Sequence, residues 1–322
     1  MFTVIGSATV DLFVSNLAAM PRTEGDEFTV DSLVFHDHPL RTSLGGNGAN
    51  SAYALARLGS RVTLAGGLGG DHLGDWMAAQ LAGAGVGMAN VRRYPEMGTA
   101  TTLILSDLQQ NRIAFHHPGA NNAVDGNAID DDLLRRSHTL LLTSYSIMPG
   151  LRPDGAVELF RRARRSGTLT AADIGPAIGD PPRLEELRPL LAYTDFFICN
   201  EHELNVCTGE ADLAKAMAEI VEGGTGCVVI KQGAHGATVL QRGHMDGPTK
   251  VPGFSVEVQT TVGAGDSFNA GFLFATEDGA SPLQAARFGN ATAAIVVSTA
   301  DRPLDALSRA AVEYFSDSSP RR

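Results

Sequence analysis

The sequence predicts an α/β fold of three layers, with helices on both faces of a mostly parallel sheet and a small β-sheet set apart from them. Three observations predict it. After about residue 130, short apolar runs alternate with helix-length amphipathic segments, the pattern of right-handed βαβ units. Glycine-rich turns stand where strand ends meet helix starts, at GGNGAN (45–50) and GAGD (263–266). Finally, 322 residues at 43% hydrophobic composition supply one large core plus an accessory piece.

Taken in order, residues 2–7 read as a buried strand, with Asp11 just past it. Residues 12–44 alternate weakly, through Phe28, Val30, Leu33 and Phe35, and read as β-ribbon outside the main layers. GGNGAN feeds an alanine-rich helix over 51–58, closed by Gly59. A strand over 62–65, a helix from Asp71 to about residue 81, and a hairpin pairing 100–106 with 112–116 follow. The hairpin and the 12–44 ribbon together would form the small sheet. Strands at 140–143, 169–172, 196–199 and 227–230 then alternate with helices at 153–165, 184–192 and 213–222. Segments 237–240 and 254–258 read as closing antiparallel strands, and 284–297 as a long apolar helix. The expectation is a single domain over 1–322, from which about 12–44 and 99–118 depart as insertions.

A net charge of −11 with no basic block argues against nucleic acid or an anionic membrane as partner. Cys199, Cys207 and Cys227 are odd in number and lack CxxC spacing, which argues against a disulfide framework or zinc site and fits a reducing, cytoplasmic setting. The chain opens as a strand rather than a basic-then-apolar leader, and no run of about 18 apolar residues would span a bilayer.

Function turns on TTVGAGDSFNAGF, residues 260–272. Gly263, Ala264 and Gly265 sit at a strand-to-helix transition, where small residues let another molecule approach the backbone. The first N–H groups of a helix lack intrahelical partners, and its dipole adds about half a positive charge there. That makes an anion site. Asp266 sets a carboxylate beside it, either as a base suited to phosphoryl transfer onto a hydroxyl or as an ordinary first-turn acid. NEHE (200–203) places Asn200 at an N-cap and Glu203 at N3, a capping box or a pair that organises Mg²⁺ and phosphate. KQGAHG (231–236) ends a strand in a glycine turn that either lines a nucleotide or merely joins two strands. No GxxxxGK[ST] is present, and near matches to GxGxxG starting at Gly67, Gly83 and Gly263 lack the last glycine, which disfavours a P-loop NTPase and an NAD-type dehydrogenase. Asp11, Asn50, Asn200, Gly233 and Asp266 all fall at or just past a strand end, where open α/β sheets bind ligands.

On these residues the chain resembles the ribokinase/PfkB carbohydrate kinase family over essentially its whole length. GGNGANSAYALARLG resembles the family's N-terminal signature, TTVGAGDSFNAGF its C-terminal signature, NEHE its NxxE motif and KQGAHG its adenosine-side glycine turn. The resemblance implies a ribokinase-like αβα fold and transfer of the γ-phosphoryl of ATP, with Mg²⁺, to a hydroxyl of a small sugar. It implies Asp266 as general base, with Gly263, Ala264 and Gly265 as the anion hole. It implies Asp11, Gly46, Asn47 and Asn50 as sugar ligands. Asn200, Lys231, Gly233, Gly236 and Asn290 would serve the nucleotide, and Glu203 the Mg²⁺ through water. The small sheet would be a lid, which in this family often also forms a homodimer. Thr260 stands where the family often has an Asp that helps hold a monovalent cation, and 298–302 lacks a usual glycine, so potassium activation is not implied. Ribokinases carry a sugar-contacting Glu near Tyr145 and Ser146; this chain has none, so ribose is not singled out. Two rivals remain at this level. A nucleoside kinase on the same scaffold has little to stack a base on, with one Trp and five Tyr. A non-catalytic sugar-binding or regulatory protein does not need the intact Asp266 and its glycines.

Overall fold

Apolar runs such as FTVI, TLLL and CVVIK cannot alternate inside and outside, so each requires cover on both faces. The computed structural model, which describes residues 1–21, 34–109, 111–244 and 246–318, gives them that cover. The strands are β1 (Phe2–Ile5), β2 (Thr9–Leu17), β3 (Arg41–Gly45), β4 (Val62–Gly69), β5 (Gly87–Tyr94), β6 (Thr101–Asp107), β7 (Arg112–His117), β8 (Thr139–Leu142), β9 (Leu169–Asp173), β10 (Phe196–Asn200), β11 (Cys227–Lys231), β12 (Ala237–Gln241) and β13 (Thr249–Val251). The helices are α1 (Asn47–Arg57), α2 (His72–Gly83), α3 (Asp131–Arg136), α4 (Asp154–Arg165), α5 (Leu184–Leu191), α6 (Glu201–Thr208), α7 (Leu213–Glu222), α8 (Ala264–Glu277), α9 (Pro282–Val297) and α10 (Arg309–Ser318).

Nine strands form one sheet in the order β13-β12-β11-β10-β9-β8-β1-β4-β5. It is parallel from β11 to β5, and β12 and β13 pair antiparallel at its end. One face buries its apolar side chains against α1, α2, α8, α9 and α10. The other is covered by α3, α4, α5, α6 and α7. This is the three-layer α/β architecture expected. A separate four-stranded sheet, β3-β2-β6-β7, is built from the two segments read as β insertions.

Chain order reverses at β1: the first half winds outward through β4 and β5, the second through β8 to β11. Such a switch opens a crevice at the carboxyl ends of the strands. Past β1 and β8 the chain is knitted by Ser7 and Ser144, whose Oγ atoms lie 2.7 Å apart. Asn47, the first residue of α1, donates its backbone N–H to Ser7 Oγ at 3.1 Å. The GGNGAN turn is thereby pinned onto the switch point. Gly46 has φ +84°, and a Cβ there would lie 2.6 Å from the Ser7 carbonyl oxygen, so this position admits glycine alone.

Several segments differ from expectation. Residues 254–258 are not a strand; the closing strand is β13, and only Phe254 makes an isolated bridge. Pro252 has no N–H to continue a ladder, and Gly236 packs against the Val251–Gly253 backbone at that point. Strand β5 was not foreseen, because its sequence GMANVRRY is polar and half exposed, as an edge strand permits. Helix α1 starts already at Asn47 rather than at residue 51. Among the described residues of 12–44 the ribbon is β2 and β3: Phe35 is not in a strand, and Phe28, Val30 and Leu33 lie outside the described residues.

Candidate active site

Helix α8 begins at an abrupt turn, with Gly263 at its N-cap in the left-handed region at φ 76°. The N–H groups of Gly265 and Asp266 find no acceptor among the described residues, as the first turn of a helix dictates. They point the positive end of a 14-residue helix into the crevice. Asp266 follows directly and is 7% exposed. Its Oδ2 accepts a hydrogen bond from Asn50 Nδ2 at 2.9 Å, which joins the two glycine-rich turns across 216 residues of sequence. Burial raises the Asp266 carboxyl to about 6; the Asn50 hydrogen bond works against that rise and the Asp173 charge adds to it. A carboxylate so placed holds a proton weakly near neutrality, as a base must.

The carboxyl ends of β9, β10 and β11 supply the other side: Asp173, Asn200 and Lys231 are their last residues. Lys231 Nζ lies 2.8 Å from Asp173 Oδ2 and 3.2 Å from Asn269 Oδ1, and Asn269 Nδ2 donates to the same Asp173 oxygen at 2.5 Å. Burial works against the Lys231 ammonium, but Asp173, Glu203 and Asp266 outweigh it and hold its pKa above the ordinary lysine value. Asn200 and Glu203 complete a capping box: Asn200 Oδ1 accepts from the Glu203 N–H, and Glu203 Oε2 accepts from the Asn200 N–H, both at 2.8 Å. Glu203 is nonetheless buried near the other carboxylates, and burial followed by the Asp173 charge pushes it up to about 7.

Two cavities flank the start of α8. One, of about 300 Å³, is lined by Lys231, Gly233, Gly236, Ala264, Gly265 and Asn290, with Phe254, Val256, Val258 and Phe268 making it largely apolar. The segment misread as a strand is thus a cavity wall. Asn290 donates from Nδ2 to the Val251 and Pro252 carbonyls at 3.1 and 3.2 Å, which ties the loop after β13 to α9. The other cavity, of about 370 Å³, touches Asn50 and Gly263 and lies between the β3 edge, α1, α2 and residues 302–305. Asn200 lines neither of these two cavities.

Asp11 sits in β2 with its carboxyl group over Gly45, where a Cβ would come within 2.3 Å of it. Burial lifts its pKa to about 6 against a hydrogen bond from Thr102. The register sets Ser43, Asp11, Thr102 and His116 directly opposite one another across the four strands, so they share a face. His116 Nδ1 is 3.1 Å from Thr102 Oγ1.

Sequence reasoning brought forward Asp266, Asn50, Lys231 and the glycine turns, and the fold brings these together. It missed Asp173 and Asn269. Asp173 meets the same strand-end criterion that singled out Asn200. Asn269 lies three residues after Asp266, hence on the same helix face.

The model of the pfkB family carbohydrate kinases matches residues 6–302. The chain belongs to the PfkB carbohydrate kinase family. Like other PfkB-family members it is a phosphotransferase of the sugar-kinase type. It is 32% identical over 258 residues to an ATP-dependent ribose-1-phosphate kinase from Halopiger xanaduensis, covering 79% of this chain and 80% of that one. It is 29% identical to a ribokinase from Haemophilus influenzae over 92% and 91% of the two chains. Ribokinase of Arabidopsis thaliana, solved in complex with ribose and ATP, superposes with a TM-score of 0.83 at 25% identity, covering 98% of each chain. The PfkB match begins at the end of β1 and closes at Arg302, spanning both sheets.

Proposed function

We propose that the protein transfers the γ-phosphoryl group of ATP to a primary hydroxyl of a small sugar or polyol. The observation that carries this is the buried Asp266–Asn50 pair at the free amino end of α8, beside a largely apolar cavity of about 300 Å³. Lys231, Gly233, Gly236 and Asn290 line that cavity and would hold the adenosine side. The N–H groups at the start of α8, with Gly263, Ala264 and Gly265 as its small residues, would receive the transferring phosphoryl. Asp266 takes the acceptor's hydroxyl proton as its oxygen attacks phosphorus. Asp11, Gly46, Asn47 and Asn50 would hold the acceptor, and the small sheet would close over it as a lid to exclude water.

The site suits Mg²⁺ in one manner only. Among the described residues no three His, Cys, Asp or Glu side chains converge into a cage, yet Asp173, Glu203 and Asp266 outnumber the single Lys231 charge near them. That surplus fits a cation completed by water and phosphate oxygens, with Glu203 acting through water and Asn200 orienting it. When bound, the cation would neutralise phosphate charge. In phosphoryl transfer, positioning and charge stabilisation do most of the work.

The test is ADP release from ATP with ribose, fructose, 2-keto-3-deoxygluconate, adenosine and inosine. Turnover with a sugar supports the proposal. Turnover confined to the nucleosides makes the protein a nucleoside kinase. Binding of sugars without ADP release would make it a non-catalytic sugar-binding protein.

A further inference from the structure

We propose that Lys231 is a catalytic residue, the cationic arm of the phosphoryl site, and that Asp173 and Asn269 are the positioning residues that hold it there. The inference rests on the kinase function above for the identity of the phosphoryl group, and assigns a role beyond nucleotide lining.

The placement comes from three elements meeting at one point. Lys231 ends β11, Asp173 ends β9, and Asn269 stands one turn into α8. The three side chains close a ring: ammonium to carboxylate at 2.8 Å, ammonium to amide oxygen at 3.2 Å, and amide nitrogen to the same carboxylate oxygen at 2.5 Å. The other Asp173 oxygen is taken by the Gly175 N–H at 2.8 Å. Both Asp173 oxygens are thus engaged within the protein. An ammonium has three donors, and two of those on Lys231 are used.

The direction of the third follows from exposure and contact. Asp173 is sealed at 2% side-chain exposure, whereas Lys231 keeps 14% and lines the nucleotide cavity. A Cβ built on Gly265 would lie 3.4 Å from Lys231 Nζ. The ammonium therefore rests against the first turn of α8, next to Gly265. A buried ion pair is weak evidence for stability, because desolvation offsets its attraction. A sealed carboxylate and a sealed amide that grip one cation at the edge of a cavity do have a purpose if that cation meets an anion.

In the transfer step the acceptor oxygen forms a bond to the γ-phosphorus, and the bond from that phosphorus to the bridging oxygen breaks. The electron pair departs with ADP, and the hydroxyl proton passes to Asp266. Lys231 keeps its protons throughout. Its charge opposes the negative charge spread over the transferring oxygens and the leaving oxygen, with the helix N–H groups on the other side.

The test compares Lys231→Met with wild type in two measurements. The first is affinity for ADP with Mg²⁺ and aluminium fluoride, which imitates the transferring phosphoryl, against affinity for ADP with Mg²⁺ alone. The mimic should weaken by roughly 10²–10³-fold, the scale of one lost oxyanion donor, while ADP changes little. The second is steady-state kinetics with the best acceptor: kcat should fall on the same scale, with little change in the acceptor KM. Asp173→Asn should lower kcat by about ten- to a hundred-fold, the scale of a lost supporting partner. Because Lys231→Met strands a buried carboxylate, Lys231→Met/Asp173→Asn removes both charges and serves where the single variant does not fold; its kcat should match that of Lys231→Met. Equal weakening of ADP and its fluoride complex, or unchanged affinity for both, overturns the assignment. If wild type phosphorylates none of the acceptors, the kinase proposal falls, and the fluoride comparison still decides on Lys231.

Discussion

Asp266 is where folding and chemistry pull in opposite directions. Burial raises its pKa to about 6, so the folded chain binds a proton that the unfolded chain has already released at that pH. Stability contributed by this group therefore falls as pH rises from the ordinary carboxylate range to about 6, and the penalty is fully present above that. Asp266→Asn keeps an acceptor for Asn50 and removes the buried charge. It should melt higher than wild type at pH 8, with the gap closing toward pH 4, while kcat drops roughly 10²–10⁴-fold. Scanning fluorimetry and initial rates check both halves, and near-wild-type turnover would remove Asp266 from the role of base. The same group should give kcat/KM an acid limb near pH 6. Asn50→Ala deletes the hydrogen bond that lowers this pKa, so the limb should move to higher pH; a limb that stays in place belongs to another group. The glycines and the acid of GAGD were legible because local backbone geometry demands those residue types. Their pairing with Asn50 was not, because a contact spanning 216 residues leaves no mark in either segment.

At the scale of elements, α6 carries one pattern that two purposes could use. Asn200 and Glu203 form a capping box, the structural alternative weighed for NEHE, and their side chains are used in it. Asn200→Ala should cost about 0.5–2 kcal/mol, read as a shift in urea midpoint. Asn200→Asp retains an N-cap acceptor and isolates the second role: near-wild-type stability with a raised KM for ATP is expected if the residue also faces phosphate. Unchanged KM would leave capping as its whole function. The βαβ half of the chain was read element by element because its apolar runs are bounded by turns. Strand β5 escaped because an edge strand with one solvated side carries no apolar run, and 254–258 misled because apolar residues lining a cavity alternate as strand residues do.

For the whole molecule, the sheet order sets the site, and the small sheet, if it closes as the proposed lid, would set its access. The face of that sheet opposite the Asp11 row carries Ile113 and Phe115, 48% and 58% exposed. A homodimer through the lid, as the family resemblance implies, would use this face. Ile113→Glu/Phe115→Glu should convert a dimer to a monomer in sedimentation velocity, whereas a monomeric wild type would discard the assignment. None of the described helices is long and apolar enough to cross a membrane, and Cys199, Cys207 and Cys227 are all buried and free.

The sequence by itself determined the layered α/β class, the two glycine-rich turns and the family, because each rests on local requirements: apolar periodicity, small residues at close backbone approaches and helix-start chemistry. Only the tertiary structure decided which of those residues meet. Three strands end side by side, so Asp173 and Lys231, 58 residues apart, form one ion pair. Helix α8 brings Asn269 to the same point and sets Asp266 against Asn50. Such encounters depend on strand order and register, which many sequences share and no short segment encodes.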